Sequence, residues 1–249
     1  MLLPTAGKAV AGGACVALQP SLAPDEPKEH RDDLDADDVL PAGRFSTWLL
    51  RIGRAEGEDA DVPCNGCTAC CTSSQFIHIA PNETDTLARI PAALLFPAPG
   101  LPKGHVLLGY DHHGHCPMFV DQRCSIYADR PRTCRSYDCR VLPAAGLGLD
   151  DPTKAAISAR IERWRFDMAS EDDQRKHDAV RAAATFLGDH ADELPVGWVP
   201  RQATQLAFLA IGIHEAFLNR DHGPGADMAA APTLDAVREA IDAVRTAPS

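Results

Sequence analysis

Apolar residues recur every three or four positions along residues 147–249, which is the spacing of one buried helical face. Three such sets are Ile157, Ile161, Trp164 and Met168; Leu206, Leu209, Ile213 and Phe217; and Leu234, Val237, Ile241 and Val244. Thr233 precedes the third set and can cap its helix, and a further helix is predicted between Asp172 and Gly188. The pattern predicts a helical C-terminal region.

The chain before residue 147 predicts shorter elements. Phe45–Ala55 carries apolar residues at helical spacing and predicts the first packed helix. The elements predicted after it are strands at Gln75–Ile79 and His105–Tyr110, a helix from Pro81 or Asn82, two extended runs within Cys116–Tyr127 joined by a turn at Asp121–Arg123, and a helix that starts near Asp129 to Pro131. The part of the chain that contains these short elements has too few apolar residues for a core of its own. We therefore predict an α+β protein, predominantly helical, in which something other than a core holds this segment together.

Composition divides the chain into three regions. Residues 1–43 are rich in Ala, Gly, Pro and Asp, and Asp25 to Asp38 holds eight acidic residues against Lys28 and Arg31. Such a segment buries too little apolar surface to fold, so we predict a disordered acidic arm. Residues 44–146 are then a small cysteine-rich domain, and residues 147–249 are the helical region.

Charge and hydropathy exclude two classes of partner. The net charge is −11, whereas a general nucleic-acid binder needs a basic face for phosphate contacts. The longest apolar run, Ala203–Phe217, contains Gln205, His214 and Glu215 and is short for a membrane span. The first residues are a poor match to a signal peptide, with one lysine and several glycines. We therefore expect a cytoplasmic protein that binds neither nucleic acid nor membrane.

Eight of the nine cysteines fall in two groups within the cysteine-rich domain. They are Cys64, Cys67, Cys70 and Cys71, and then Cys116, Cys124, Cys134 and Cys139. Short spacings place two sulfurs within reach of one metal ion, and the side chains of two adjacent cysteines tend to diverge. The eight thiols suit two four-cysteine sites, or one iron–sulfur cluster beside a zinc site, and the spacing does not choose between them. Cys15 lies in the arm and is left out.

Two other uses of cysteine fit the pattern less well. Disulfides belong to oxidising compartments, and the chain has no convincing export signal. A redox Cys-x-x-Cys pair needs only two cysteines and usually a βαβ context. Metal binding explains both the number and the clustering of these thiols.

The surroundings of the cysteines suggest how thiolates would be stabilised. Five arginines, which could offset negative charge, accompany the second group: Arg123, Arg130, Arg132, Arg135 and Arg140. For Arg132 or Arg140 alone, a solvated face is the simpler interpretation. Cys134, at a predicted helix start, is expected to have a lowered pKa. Three histidines lie just before Cys116: His112, His113 and His115. An imidazole can replace a thiol in a zinc site, but the polar, glycine-containing stretch that holds these histidines is more typical of an exposed turn.

The cysteine motifs resemble a known family. "CNGCTACC" and "CPMFVDQRCSIYADRPRTCRSYDC" are similar to the YkgJ-like cysteine-cluster family, whose pattern is CxxCxxCC followed by a CP segment and C-x-I-Y-x-x-R-P-x-x-C-R-x-[aromatic]-x-C. The matching residues of the second half are Cys116, Pro117, Cys124, Ile126, Tyr127, Arg130, Pro131, Cys134, Arg135, Tyr137 and Cys139. The resemblance covers about a third of the chain and implies zinc or iron chelation. A related cluster in flagellin lysine methylases also implies an alternative, enzymatic role.

The sequence thus predicts a metal-binding protein, more consistent with a non-catalytic role than with an enzyme. It would chelate or deliver zinc or iron through its eight clustered cysteines, or use the metal to stabilise an interaction module that docks a protein partner. The alternative is an iron–sulfur enzyme, or an accessory to a protein-modification enzyme. Spacing alone does not separate zinc from iron or from an iron–sulfur cluster.

The clustered cysteines are expected to be reduced in the cell, because metal ligands are thiolates rather than disulfides. Alkylation of free thiols in an unreduced, metal-stripped cell extract, followed by mass spectrometry, measures this. If residues between Cys64 and Cys139 were mostly paired in disulfides, the metal interpretation would be lost.

Overall fold

The computed structural model describes residues 39–52, 64, 66–218 and 232–246. Within these ranges the helices are α1 (Phe45–Ile52), α2 (Thr84–Arg89), α3 (Arg132–Ser136), α4 (Val141–Ala144), α5 (Ala155–Ile161), α6 (Glu171–Asp189), α7 (Ala203–Ile213), α8 (Glu215–Leu218) and α9 (Leu234–Thr246). The strands are β1 (Leu40–Arg44), β2 (Ile77–Ile79), β3 (Leu95–Pro97), β4 (Val106–Leu108), β5 (Phe119–Val120), β6 (Arg123–Cys124) and β7 (Trp164–Asp167). Helix exceeds strand, so the predicted α+β class with predominant helix is confirmed.

The main core forms around α6 and α7. Ser170 caps α6 by accepting a hydrogen bond from the Asp173 amide at 3.2 Å, and acidic residues fill the first turn, where the helix dipole favours them. α6 buries a face that includes Val180 and Leu187 and packs against α1, α7 and α8. α7 packs between α6 and α9, and Thr233 caps α9 as the sequence predicts.

A two-stranded parallel sheet, β1 paired with β7, closes one side of this core. Leu40 lies opposite Trp164, and both are buried. The predicted helical face through Trp164 and Met168 is therefore wrong, because α5 ends at Ile161 and the chain becomes a strand. The predicted arm also extends too far, since residues 40–43 belong to β1. Cys15 and residues 1–38 lie outside the described residues.

The predicted boundary at residues 146–147 does not separate two cores. Cys139 and Val141 are buried in the same cluster as Val180 and Ile241 from the helical region. β1 and β7, which pair with each other, also lie on opposite sides of that boundary. The described part of residues 33–249 accordingly falls in one compact unit.

A second, much smaller hydrophobic cluster lies under the three-stranded antiparallel sheet β2-β4-β3. Its buried residues are Ile79, Ile90, Leu108 and Ile126. Both strands predicted at Gln75–Ile79 and His105–Tyr110 are present, in shorter form, as β2 and β4. Four buried side chains supply little hydrophobic free energy, so this part of the chain depends on other interactions.

The carboxylate of Glu83 joins α3 to this sheet. It accepts hydrogen bonds from the backbone amides of Ala80 and Arg132, and the Thr133 hydroxyl donates to the His78 carbonyl at 2.7 Å. These bonds fix the segment that carries Cys134 against β2. Among the residues described, no helix combines the length and the apolar character needed to cross a membrane.

Asp173 links β1 and α1 to α6 and gives a test of the main core. Its buried carboxylate accepts hydrogen bonds from the Ser170 hydroxyl at 2.6 Å, the Ser46 amide at 2.9 Å and Arg44 Nε at 3.0 Å. These bonds hold the pKa of Asp173 well below its usual range, and the bond from Ser170 has the largest effect.

Replacing Asp173 by Asn should lower the thermal unfolding midpoint by several degrees at pH 7. A depressed carboxyl pKa stabilises the fold above the unfolded pKa of about 4, and this contribution is lost as pH falls further. The two unfolding curves should therefore begin to converge below about pH 4 and should meet only well below it, where Asp173 is protonated in the folded state as well. Asp178→Asn, an exposed change on the same helix, is the control, and an equal loss in both variants would contradict the assignment.

Candidate metal centre

The first four cysteines lie in a tight turn. The Cys67 amide donates to the Cys64 carbonyl, and Gly66 between them has a φ of +69°, a conformation that side chains rarely adopt. The chain then enters a 3-10 turn, Ala69–Thr72, which contains both adjacent cysteines. The Ser73 hydroxyl closes this turn by donating to the Ala69 carbonyl at 2.6 Å.

The other four cysteines approach this turn from β6, from α3 and from the loops before β5 and α4. The Cys116 amide donates to the Cys71 carbonyl at 2.8 Å, which ties the two cysteine segments together directly. Cys124 lies in β6, opposite Phe119 of β5, in a hairpin whose turn residues Asp121 and Gln122 have positive φ. Cys134 lies in α3, and Cys139 follows just before α4. The predicted turn between two extended runs is confirmed.

Cys70 lies near four other thiols. Burial raises the pKa of the Cys70 thiol well above its ordinary value, and nearby thiols raise it further in the order Cys139, Cys67, Cys64 and Cys71. Burial also raises the pKa of Cys139 to about 11, although the Trp164 N–H bond opposes the rise; the thiols that add to it are Cys64 and Cys67. Cys64, Cys67, Cys70 and Cys139 are therefore mutual neighbours, and we call them the first thiol set.

Cys71 has different neighbours. Burial raises its pKa to about 12, and the contributing thiols are Cys116, Cys124 and, least, Cys67. Burial likewise raises the pKa of Cys134 to about 12, with contributions from Cys116, Cys71 and Cys124. These four residues form the second thiol set: Cys71, Cys116, Cys124 and Cys134. The two sets meet where Cys70 and Cys71 are adjacent in sequence.

The expected lowering of the Cys134 pKa is wrong. α3 has only five residues, so few amides are available to stabilise a thiolate. Although Cys70 and Cys134 keep exposed surface, protein atoms crowd both thiols, and this desolvation outweighs the helix terminus. Arg130 opposes the rise at Cys134, as predicted for an arginine of this group, but its effect is smaller.

Packing against the hydrophobic clusters supports the same division of thiols. Cys139 belongs to the main core, where the Trp164 indole N–H donates to its Sγ at 3.2 Å. Cys116 and Cys124 pack instead against the small cluster under the sheet. One member of the first thiol set thus borders the main core, and two members of the second set border the small cluster. None of the eight is in a disulfide.

Asp138 and Arg140 hold Cys139 in place. Arg140 donates to the Asp138 carboxylate through Nε and Nη2 at 2.8–3.1 Å, and Trp48 Nε1 donates to it at 2.8 Å. Arg140 Nη1 also donates to the Ala42 carbonyl at 3.0 Å. Because Arg140 is buried in this network, the interpretation of it as part of a solvated face is wrong.

Two residues beyond the cysteine region contribute to the site and were not predicted. Arg160 of α5 opposes the rise in the Cys64 pKa that burial causes. Lys154 donates from Nζ to the carbonyls of Ser73 and Ser74 at 2.7 and 2.6 Å, which anchors the end of the 3-10 turn. Both residues follow the last cysteine, so no motif pointed to them.

The histidine loop forms a separate cluster of rings. Asp111 accepts hydrogen bonds from the amides of His113 and His115, at 2.9 and 2.8 Å. The ring centroids of His112 and His113 lie 3.8 Å apart, and His115 packs edge-on against Phe119. This arrangement fits the turn that the sequence suggested as the simpler interpretation.

The donor chemistry of both thiol sets fits zinc or iron, since soft sulfur ligands favour these metals. The thiols must lose protons to bind a metal, because burial keeps those with raised pKa values neutral near pH 7. As the side chains are placed, no three Cys, His, Asp or Glu residues in the described part of the chain are arranged to hold an ion. Coordination would therefore require the thiols of a set to close inward.

Comparison with known families identifies the segment. Residues 63–155 match the model of a family described as "CxxCxxCC: Putative zinc- or iron-chelating domain". The match contains all eight clustered cysteines and also Lys154. The segment therefore matches the CxxCxxCC family model, which confirms to that extent the resemblance seen in the cysteine motifs. Searches of curated proteins and of solved structures found no match.

The buried pair that positions Cys139 can be tested by mutation. Asp138→Asn removes the carboxylate from a buried guanidinium, which typically costs about 3–5 kcal/mol of unfolding free energy. Urea unfolding measures this. Arg89→Gln breaks an exposed pair with Asp129 and should cost less than about 1 kcal/mol. Similar losses in both variants would show that Asp138 does not have the structural role assigned to it.

Proposed function

We propose that this protein is a non-catalytic metal-binding protein that holds zinc or iron at two four-cysteine sites. One site uses the first thiol set and the other uses the second thiol set, so all eight clustered cysteines are ligands. The metals would be chelated for storage or delivery, or would stabilise a module that docks a protein partner. The observation that carries the proposal is that Cys70 and Cys71 share Cys67 as a neighbour but otherwise differ: Cys70 lies near Cys139 and Cys64, and Cys71 lies near Cys116 and Cys124.

Backbone contacts support two sites rather than one shared site. Cys116 bonds directly to Cys71, and its hairpin partner Cys124 packs on the same small cluster, so three of the second set are held locally. Cys139 is held separately, by Trp164 and by the main core. A single ion would have to draw on both cores at once, whereas each of two ions would be held beside one core.

The weakness of the small hydrophobic cluster supports a structural contribution from metal. Structural zinc sites contribute on the order of 10 kcal/mol, more than four buried apolar side chains can supply. A metal at the second thiol set would join the turn at Cys71 to β6 and α3. It would stabilise the part of the fold that has the least apolar burial.

Arginines near the thiols can offset the charge of a four-thiolate site. A divalent ion with four thiolates is net negative, and a guanidinium stabilises such a site. Arg130 acts on both Cys64 and Cys134, and Arg160 acts on Cys64. Each proposed site therefore has a positive side chain that favours its charged form. Thiolate ligands also require a reducing compartment, in agreement with the expected cytoplasmic location.

The adjacent cysteines give a matched pair of variants. Wild-type protein, purified without oxygen, should contain about two metal ions per chain, the number that eight thiolates can hold as two tetrahedral sites. Cys70→Ser and Cys71→Ser should each retain one ion, because serine is nearly isosteric but is a poor ligand for a soft metal. The double variant should retain none, and Cys15→Ser should behave like wild type. Elemental analysis with sulfide determination measures all five proteins.

The same measurements identify the metal and can reject the proposal. A colourless protein with zinc, or iron without sulfide, agrees with chelation. Acid-labile sulfide and visible absorption would favour the iron–sulfur alternative instead. If either single variant lost all its metal, the eight cysteines would form one shared site. If both kept the wild-type content, neither residue would be a ligand.

The two single variants should also differ in where they destabilise the fold. Cys71→Ser should increase hydrogen exchange mainly in β2, β4 and the β5–β6 hairpin, because the small cluster there lacks other support. Cys70→Ser should have its effect near α4 and β7, where the main core limits the loss. Identical exchange patterns in the two variants would contradict the division of the thiols between the cores.

A further inference from the structure

An open cleft of about 560 Å³ lies between α5, β7, α6 and the loop that follows α4. This volume lies within the range of small-molecule sites, which are mostly apolar with a few converging polar groups. The cleft takes no part in the metal sites proposed above. Trp164 links the two, since its ring lines the cleft while its N–H bonds to Cys139.

The walls of the cleft include several large apolar residues. Their side chains are Leu147, Leu149, Ile161, Trp164, Phe166 and Met168. Met168 and Phe166 are only partly buried, although both pack against the main core. An apolar ligand body of moderate size would cover this surface and be stabilised by its removal from water.

Two polar side chains reach the cleft from one wall. His177 and Arg181 are one helical turn apart on α6, so they lie on the same face. Within the described residues, no carboxylate lies within ion-pair distance of Arg181. His177 packs edge-on against Phe45, its Nδ1 lies 3.9 Å from Asp178 Oδ1, and its side chain is 15% exposed.

Gly146 leaves room for the Arg181 guanidinium at the edge of the cleft. A Cβ atom on Gly146 would lie 3.1 Å from Arg181 Cζ, and the φ of +69° at Gly146 also disfavours a side chain. Arg181 thus lies directly against the loop backbone at the edge of the cleft. Its planar donors remain suited to a carboxylate, which a guanidinium can bind through two parallel hydrogen bonds.

The other charged side chains of the cleft lie on different elements. Arg165 donates to the carbonyls of Glu162 and Trp164, which places its guanidinium beside Glu162, and Asp150 lies in the loop after α4. The α5–β7 side of the cleft therefore carries both signs of charge, whereas the two residues of α6 that line the cleft, His177 and Arg181, include no acid. An anion in the cleft is favoured beside Arg181.

We propose that this cleft binds a small organic carboxylate with an apolar body. The carboxylate pairs with Arg181 and accepts a hydrogen bond from His177, and the apolar body lies against Trp164 and Met168. The site is independent of the metal content of the protein.

The test compares three defined probes on the metal-replete full-length protein: 3-phenylpropionate, its neutral amide and inorganic phosphate. Ligand-observed NMR and calorimetry measure the affinity of each. The carboxylate should bind saturably, the amide about tenfold more weakly or worse, and phosphate, which has no apolar body, should not compete. Arg181→Gln should weaken the carboxylate by at least about tenfold.

Two further variants separate recognition from folding. Arg175→Gln removes an exposed arginine of the same helix that pairs with Asp172, and it should bind the carboxylate like wild type. Gly148→Leu adds a side chain in open space at the cleft and should abolish binding while the melting temperature stays close to wild type.

Three results would overturn the proposal. They are the absence of saturable carboxylate binding at millimolar concentration, equal affinity for the carboxylate and its amide, and equal effects of Arg181→Gln and Arg175→Gln. If phosphate alone displaced the carboxylate, the proposed contact between the apolar body of the ligand and the cleft would be wrong.

Discussion

The buried carboxylate of Asp138 connects the cysteine region to the rest of the protein. It receives hydrogen bonds from Trp48 in α1 and from Arg140, and Arg140 in turn bonds to the carbonyl of Ala42 in β1. Removing two charges from water is costly, and here a dense set of hydrogen bonds offsets that cost. The position of Cys139 is consequently determined by the N-terminal elements of the main core.

This anchoring explains why the cysteine region need not be self-sufficient. One side of it uses the main core through Cys139 and Trp164, and the other has only the small cluster around Ile79 and Leu108. The 3-10 turn with Cys70 and Cys71 lies between the two. Because neighbouring side chains in such a turn point in different directions, one turn can supply a thiol to each side.

The helices of the core were the most predictable part of the fold. α6 and α9 have local start signals at Ser170 and Thr233, and their apolar faces repeat at the helical period. The pairing of β1 with β7 was not predictable, because Leu40 and Trp164 are far apart in sequence and neither strand has a strong local pattern. The Trp164 indole that bonds to Cys139 depends on that pairing, and so does one wall of the cleft beside Arg181.

The sequence by itself determined the chemistry available to the protein: eight clustered thiols, their short spacings, and the arginines among them. These are properties of side-chain type and local order, which is why the resemblance to a zinc- or iron-chelating family was visible in the sequence alone. Only the tertiary structure decided which thiols are neighbours, how Arg140 is buried, and that Arg160 acts on Cys64. These features depend on distances between residues that are remote along the chain, and such distances arise only when the two cores pack.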